Sequence, residues 1–518
     1  MVWWSAHAPV EIGGVPLHGL VARAAAAYPE RTALVDGASG AAVTYAGLTA
    51  RIDTIAGWLA GSGFGRGDTV ALWLPNVPPF AAFALAAMSL GGTVAPLNPA
   101  LTFEEAAAQL GPSANTVVVT TPALARTAAG LRGVTRCVVV GEATALPGTV
   151  TLADVLAWAG PRPGPVEVAD DAVAALFGSS GTTGLPKAVE LTHANLVAVC
   201  RQLTGSIGID EADVTLAVAP FFHILGFTAE LMAPLSAGAT VVTQHRFEPM
   251  AFADLLRGHR VTYLAVPPPV AAVLARHPAC TGLDTIRLVA VGGAAFAAGR
   301  QRELAARLPG AVVGQGYGLT ETSGAISIPT RKEGSAPGTV GRLIAGTELR
   351  VVDPTTGADL AADTDGELWV RGPQVMAGYR GNPEATAAMV DPDGWLRTGD
   401  LGHVTPDGDI VIVDRLKDLI KVNAMQVSPA ELEALLVTHP AIADAAVVGR
   451  DDERTGQRPV AVVVARSGAR VDPDEVIAWA GARIAPYKRL AGVHVVDALP
   501  RTPSGKLLRR LLDARLTP

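Results

Sequence analysis

Apolar and polar positions alternate along this chain with two distinct periods. Short β-branched runs at Thr69–Leu74, Thr116–Thr120, Arg136–Val140, Ala172–Phe177, Val214–Ala219, Thr240–Thr243, Thr262–Val266 and Leu288–Val291 read as strands. Alanine-rich segments with helical periodicity fall between them: Tyr45–Gly61, Phe80–Leu90, Phe103–Leu110, His193–Leu203, Met250–Arg257 and Arg300–Leu308. This alternation predicts an α/β fold, with mixed sheets covered by helices. Around Gly346 to Val413 the texture changes. Strands Glu348–Val352, Glu367–Val370 and Asp409–Val413, separated by Pro-Thr-Thr-Gly, Asp-Gly and Pro-Asp-Gly turns, predict an antiparallel β subdomain. A tail of about 100 residues follows Asp414-Arg415, a common domain size. It reads as helix Pro429–Thr438, strands Ala445–Val448 and Val460–Val464, helix Pro473–Arg483, strand His494–Val496 and a basic helical end. The expected organisation is a large N-terminal domain over 1–413 and a small α+β C-terminal domain over 414–518.

At 518 residues the chain is long enough to bury its core without disulfides or structural metal. Hydrophobic residues make up 49%, mostly through alanine, and charged residues only 17%. The longest clearly apolar stretch, Phe80 to Met88, is too short to span a bilayer, so no membrane insertion is expected. The N-terminus lacks the basic flank and apolar run of a signal peptide, which predicts a cytoplasmic enzyme. Cys137, Cys200 and Cys280 offer neither a disulfide framework nor a metal knuckle. A net charge of −7 argues against a general nucleic-acid binder. Only six of the 41 cationic residues are lysines: Lys187, Lys332, Lys417, Lys421, Lys488 and Lys506. Lysine is a compact point charge and arginine a planar fork, so a chain that rarely uses lysine directs attention to where it does.

Directly after the strand ending at Phe177 stands Gly178-Ser-Ser-Gly-Thr-Thr-Gly-Leu-Pro-Lys187. Its glycines allow close backbone approach to an anion, Ser179, Ser180, Thr182 and Thr183 offer hydroxyls, and Lys187 supplies charge ahead of a helix starting near His193. That combination suits a polyphosphate. Pro186 before the lysine excludes a Walker A loop. Taken alone, such a loop also reads as a flexible surface turn.

The loop, followed by Leu191-Thr-His193, resembles the signature of the adenylate-forming superfamily: acyl- and aryl-CoA synthetases, luciferases and peptide-synthetase adenylation domains. Further motifs recur in order: Pro220-Phe-Phe-His223, Val291-Gly-Gly-Ala-Ala295, Gly314-Gln-Gly-Tyr-Gly-Leu-Thr-Glu321, Gly366-Glu-Leu, Gly378-Tyr-Arg, Gly394-Trp-Leu-Arg-Thr-Gly-Asp400, Asp414-Arg-Leu-Lys-Asp-Leu-Ile-Lys421 and Pro503-Ser-Gly-Lys506. Within the superfamily the pattern is most similar to 4-coumarate:CoA-ligase-like enzymes. The resemblance implies two half-reactions. A carboxylate attacks the α-phosphate of ATP to give an acyl-adenylate and pyrophosphate, and a thiol, usually that of CoA, then displaces AMP.

It also implies roles. Ser179, Ser180, Gly181, Thr182, Thr183, Gly184 and Lys187 would hold the β- and γ-phosphates. Glu321 would ligate Mg²⁺, and Thr320 would contact the α-phosphate. Gly293, Ala294, Gln315, Gly316, Tyr317 and Gly318 would form the adenine slot, with Tyr317 stacked on the base. Asp400 would take the ribose hydroxyls, with Arg415 beside it. Lys506 would bridge carboxylate and phosphate during adenylation. Rotation of a mobile C-terminal domain about a hinge at Asp414 and Lys417 would then bring in Lys421 and Gln426 for thiol transfer. His223 would act as gate or base near the acyl carboxylate. The pocket for a small carboxylic acid would include His223, Leu225, Phe227, Ala229, Ala294 and Gly316. A homodimer is compatible with all of this.

Three departures matter. Ala188 replaces the glycine after the loop lysine. In Lys421-Val-Asn-Ala-Met-Gln426, Asn423 and Ala424 stand where the family has lysine and glycine, and the glycine helps form the pantetheine tunnel. Leu225 and Ala229 replace the tyrosine and small hydroxyl residue of plant coumarate ligases, leaving an apolar wall suited to a cinnamate-like, benzoate-like or medium-chain acid. Alternatives therefore remain: the same adenylation with a carrier-protein thiol or amine as acceptor, or activation of nitrite for diazotising an aryl amine.

Overall fold

The computed structural model describes the chain apart from residues 112–114, 142–146, 180–186, 331–333, 423–424, 453, 503–506, 510 and 513–518. Ser180 to Gly184 of the loop, Lys332, Asn423, Ala424 and Lys506 lie outside the described residues, and Gln426 is described by its backbone alone. The chain divides into two compact units. The larger comprises Trp4–Glu348 and Arg371–Leu396; the smaller comprises Met1–Trp3, Leu349–Val370 and Arg397–Pro518. Within the β-rich stretch, Leu349–Val370 and the part from Arg397 onward group with the tail, and Arg371–Leu396 groups with the larger unit.

Two large sheets build the larger unit. One is eight-stranded, in the spatial order Gly378–Tyr379, Lys187–Thr192, Val173–Ser179, Thr93–Pro96, Thr69–Trp73, Thr116–Thr120, Val134–Val139, Thr149–Thr151. The other is seven-stranded, in the order Val312–Gln315, Leu288–Val291, Tyr263–Val266, Val214–Ala217, Thr240–Thr243, Thr32–Asp36, Ala42–Thr44. Their central strands are parallel, and Thr69–Trp73 and Thr116–Thr120 are buried at every position. Burial on both faces explains why these strands read as near-continuous apolar runs.

The apolar stretch foreseen near Phe80 is helix Pro78–Ser89, opened by proline at its first turn and buried around almost its whole circumference. Its apolarity is that of a core helix; no helix among the described residues is long and apolar enough to cross a membrane.

The smaller unit carries an antiparallel pairing of Leu396–Val404 with Ile410–Arg415, as the turn-rich texture predicts. Its second sheet joins Ile420–Val422, Met425–Val427, Ile442–Asp452, Gly456–Ala465 and Gly492–Val496. Helices Pro429–Leu436 and Pro473–Gly481 cover that sheet through Leu432, Leu436, Val476 and Ala480.

Candidate active site

Strand register builds the phosphate-loop end of the larger unit. Val173–Ser179 pairs antiparallel with Lys187–Thr192, setting Lys187 opposite Ser179, so the loop between them leaves and returns on one rung. Helix His193–Leu203 follows at once. A capping box starts it, in which Thr192 accepts from the Asn195 N–H and the Asn195 side chain accepts from the Thr192 N–H. The Asn195 amide also donates to the Pro373 and Val375 carbonyls at 2.8 and 2.7 Å.

That clamp leads the chain into Gly378–Tyr379, which pairs with the lysine strand through Val189 opposite Tyr379. Tyr379 lies under the ammonium of Lys187, with Nζ 4.9 Å from the ring centroid. Its hydroxyl donates to Glu321 Oε1 at 2.8 Å and has the Ser179 hydroxyl as a further partner. Burial, and then the Glu321 carboxylate, hold the phenol well above its ordinary pKa, so it stays a donor.

Glu321 sits in the single turn Thr320–Thr322 and is 8% exposed. The turn is fixed from behind: Ser323, at φ 53, donates to the Gln374 carbonyl, and the Met376 N–H donates to the Glu321 carbonyl. Among the described residues no group of three or more histidine, cysteine or acidic side chains could hold a metal by itself. A divalent ion at Glu321 would take one carboxylate from the protein and fill its sphere with phosphate oxygens and water, which is how Mg²⁺ is ordinarily held. The donor set fits.

The expected adenine and acid residues converge at the neighbouring strand ends. The Gly292 N–H donates to the Val266 carbonyl and the Gly316 N–H to the Val291 carbonyl. A methyl group on Gly292 would lie 3.8 Å from both the Gly316 carbonyl and Leu225 Cδ1, and one on Gly293 would lie 3.9 Å from Leu225 Cδ2. Leu225, Gly292, Gly293 and Gly316 therefore border one space. Gln315 is buried and supports this turn from beneath, its Oε1 accepting from the Phe296 N–H at 2.7 Å. Ala294 is half-buried, and Tyr317 is half-buried with its N–H on the Ser327 carbonyl. Gly318 is a packing glycine, since a Cβ there would lie 2.3 Å from the Gly324 carbonyl.

Leu225 precedes a π-helical turn, Gly226–Met232, that carries Phe227 and Ala229. Glycine at 226 is required: a Cβ would stand 2.4 Å from the Ala219 and Pro220 carbonyls. Phe227 is fully buried, edge-on to Phe177 at 5.2 Å between centroids, and Ala229 is buried beside it. His223 Nδ1 accepts the Leu225 N–H at 3.2 Å. The neutral ring then carries its proton on Nε2, which makes His223 a hydrogen-bond donor at that atom.

In the smaller unit Asp400 and Arg415 are register partners, with Arg415 Nε 2.8 Å from Asp400 Oδ1; Asp400 is 2% exposed. Asp414 is also buried and accepts from the Ser428 hydroxyl and the Ala430 N–H, tying it to the start of helix Pro429–Leu436. Lys417 and Lys421 are exposed, and Lys421 stands opposite Gln426 in a short hairpin. Lys488, to which no motif gives a role, bonds both Glu431 oxygens.

Sequence reasoning missed Tyr379. Its only signal was the Gly378-Tyr-Arg motif, and its position depends on a strand register that no local pattern reveals.

Residues 21–380 match the model of the AMP-binding enzyme family, and 431–506 match the AMP-binding enzyme C-terminal domain. The chain is 41% identical to 4-coumarate–CoA ligase 5 of Oryza sativa subsp. japonica, over 97% of this chain and 95% of that one. Among solved structures it resembles ATP-bound MatB from Rhodopseudomonas palustris, with a TM-score of 0.88, 29% identity and coverage of 97% and 99%. It also resembles the amide bond synthetase McbA from Marinactinospora thermotolerans, with a TM-score of 0.86, 28% identity and coverage of 97% and 100%. With its motifs in order and both family models matched, this chain belongs to the AMP-binding enzyme family.

Proposed function

We propose that this enzyme uses ATP to activate an apolar aryl or medium-chain carboxylic acid as its acyl-adenylate and passes the acyl group to CoA, releasing AMP and pyrophosphate. The observation that carries the reading is the convergence of Ser179, Lys187 and Glu321 on Tyr379 at the mouth of the hydroxyl-rich loop. Attack of a carboxylate on a polyphosphate brings two anions together, so the protein must present cations and fixed donors before reaction. Lys187 supplies charge at the loop, and Glu321 would hold Mg²⁺, which neutralises phosphate charge when bound. The Nε2–H of His223 would orient the acid carboxylate. Leu225, Phe227 and Ala229 supply an apolar wall, which disfavours an acid with a para-hydroxyl.

In the same reading Asp400 and Arg415 serve the ribose, Lys506 serves adenylation, and Lys421 with Gln426 serves thiol transfer. The functional domains are 1–413 and 414–518, joined at a hinge over 414–417, and the enzyme works in the cytoplasm.

An amine acceptor is the second reading, favoured by Asn423 and Ala424 at the expected pantetheine tunnel and by the likeness to an amide bond synthetase. Incubation with ATP, Mg²⁺, CoA and a panel of acids, followed by separation of AMP, acyl-adenylate and thioester, tests both. Thioester is the expected product. Adenylate without thioester, together with amide when an amine is added, would replace CoA as acceptor. No AMP with any acid would overturn both readings.

A further inference from the structure

We propose that Tyr379 is a positioning residue of the phosphate site, its hydroxyl fixing the Glu321 carboxylate and its ring carrying the Lys187 ammonium. The inference rests on the phosphate-site reading above and adds to it a residue that holds the two charged groups apart and in place.

Tyr379 is itself firmly held. Its backbone is paired to Val189, its N–H donates to Thr386 Oγ1 at 2.9 Å, and a Cβ at the preceding Gly378 would lie 2.9 Å from Thr386. From this mooring the phenol reaches Glu321 Oε1 at 2.8 Å while its face meets Lys187 Nζ at 4.9 Å, inside the roughly 6 Å range of cation–π attraction. A lysine and a glutamate left side by side in a half-buried site would collapse into an ion pair, each cancelling the charge the other needs for its own ligand. A neutral phenol between them satisfies both without neutralising either. Lys187 keeps its full charge for a phosphate, and Glu321, aimed through one oxygen, keeps its charge for a cation. Groups that orient a metal ligand in this way commonly matter about 10–100-fold in metal affinity or activity.

ATP binding is measured by calorimetry, without acid, across a Mg²⁺ series for wild type, Tyr379→Phe, Tyr379→Leu, Glu321→Gln and the double variant Tyr379→Phe/Glu321→Gln. Tyr379→Phe keeps the ring and loses the hydroxyl. The Mg²⁺ concentration for half-maximal ATP binding should rise about 10-fold or more, while Mg²⁺-free ATP binding stays within about twofold. Tyr379→Leu should in addition weaken Mg²⁺-free ATP binding by about two- to fivefold, the scale of one exposed cation–π contact. In the Glu321→Gln background Tyr379→Phe should have no further effect on the Mg²⁺ dependence. Thioester formation from supplied acyl-adenylate should be unchanged in both Tyr379 variants, which a residue serving only the fold would not spare. An unaltered Mg²⁺ dependence in Tyr379→Phe, or an equal loss in both half-reactions, would overturn the proposal. If wild type binds ATP yet the effect persists in the Glu321→Gln background, this inference alone fails. If wild type binds no ATP at any Mg²⁺ concentration, the phosphate-site reading fails and this inference falls with it.

Discussion

The two units of the chain treat their functional charges in opposite ways. In the larger unit Lys187 rests on an aromatic ring, and Glu321 is 8% exposed and hydrogen-bonded to the same side chain. In the smaller unit the side chains of Lys417 and Lys421 stand exposed, while Asp400, Arg415 and Asp414 are held by internal bonds. The difference is instructive. Donors and charges that must meet a developing negative charge are effective when they need no reorganisation. Groups that must arrive during a conformational step are tolerable only if they are stable in water beforehand. In the proposed reaction the larger unit supplies groups that are already fixed, and the smaller unit brings the exposed Lys421 to the site in a later step.

The sharpest way to break that contrast is to remove Lys506, the lysine proposed to serve the first step. Lys506→Ala should depress adenylation by about 10²–10³, the usual cost of one positioned donor, while thioester formation from supplied acyl-adenylate is spared. Equal loss of both would mean that Lys506 is not confined to one step.

Next in size is an acid sensitivity carried by two buried histidines of the larger unit. His193 is 1% exposed, its Nδ1 accepts the Leu17 N–H at 3.2 Å, and the His18 ring stands edge-on with centroids 5.9 Å apart. Burial lowers both pKa values from 6.5 to about 4, and His18 adds to the effect on His193. The unfolded chain therefore binds more protons between those values, so stability is full above pH 6.5 and falls as pH drops towards 4. For His193 the loss is about 3 kcal/mol. Buried Glu230, whose carboxyl is held well above the ordinary range by desolvation, acts in the opposite direction. The histidine contribution is therefore read as the difference in denaturant midpoint between wild type and His193→Gln, which should shift against wild type as pH drops from 7.5 to 4; a pH-independent difference would contradict the burial argument.

A smaller effect is expected at the transfer step. Lys421→Ala should slow thioester formation by about 10-fold, on the order of one exposed charge contact to the incoming thiol, and leave adenylation intact. Loss of adenylation instead would move Lys421 to the first step. The mildest change concerns acid choice: Leu225→Tyr should shift kcat/KM by about 10-fold towards para-hydroxylated acids, and no shift would remove Leu225 from the acid wall.

What the sequence disclosed divides along physical lines. Helix His193–Leu203 and strand Leu288–Val291 appear with the bounds their patterns predict, because cap chemistry and β-branched runs act over a few residues. Core helix Pro78–Ser89 was visible for the same reason. Strand Lys187–Thr192 is hidden, since its partners among the described residues are the preceding strand and Gly378–Tyr379, far along the chain. The π-helical turn Gly226–Met232 follows no 3.6-residue pattern, so the wall it carries could be named from a motif but not shaped. Gln315 and Gly318 show the limit of motif reasoning. The motif places both in the adenine slot, and the fold adds what it cannot tell: Gln315 Oε1 accepts from the Phe296 N–H, and Gly318 permits a close backbone crossing at Gly324. Motifs identify a neighbourhood, and packing decides which members face the ligand.

The account turns on adenylation being complete before any acceptor arrives. Acid-dependent exchange of labelled pyrophosphate into ATP, measured with Mg²⁺ and an apolar aryl or medium-chain acid but no thiol and no amine, tests this directly. The account predicts exchange at a rate that adding CoA does not raise. Exchange that appears only when CoA is present, or with no acid at all, would contradict it.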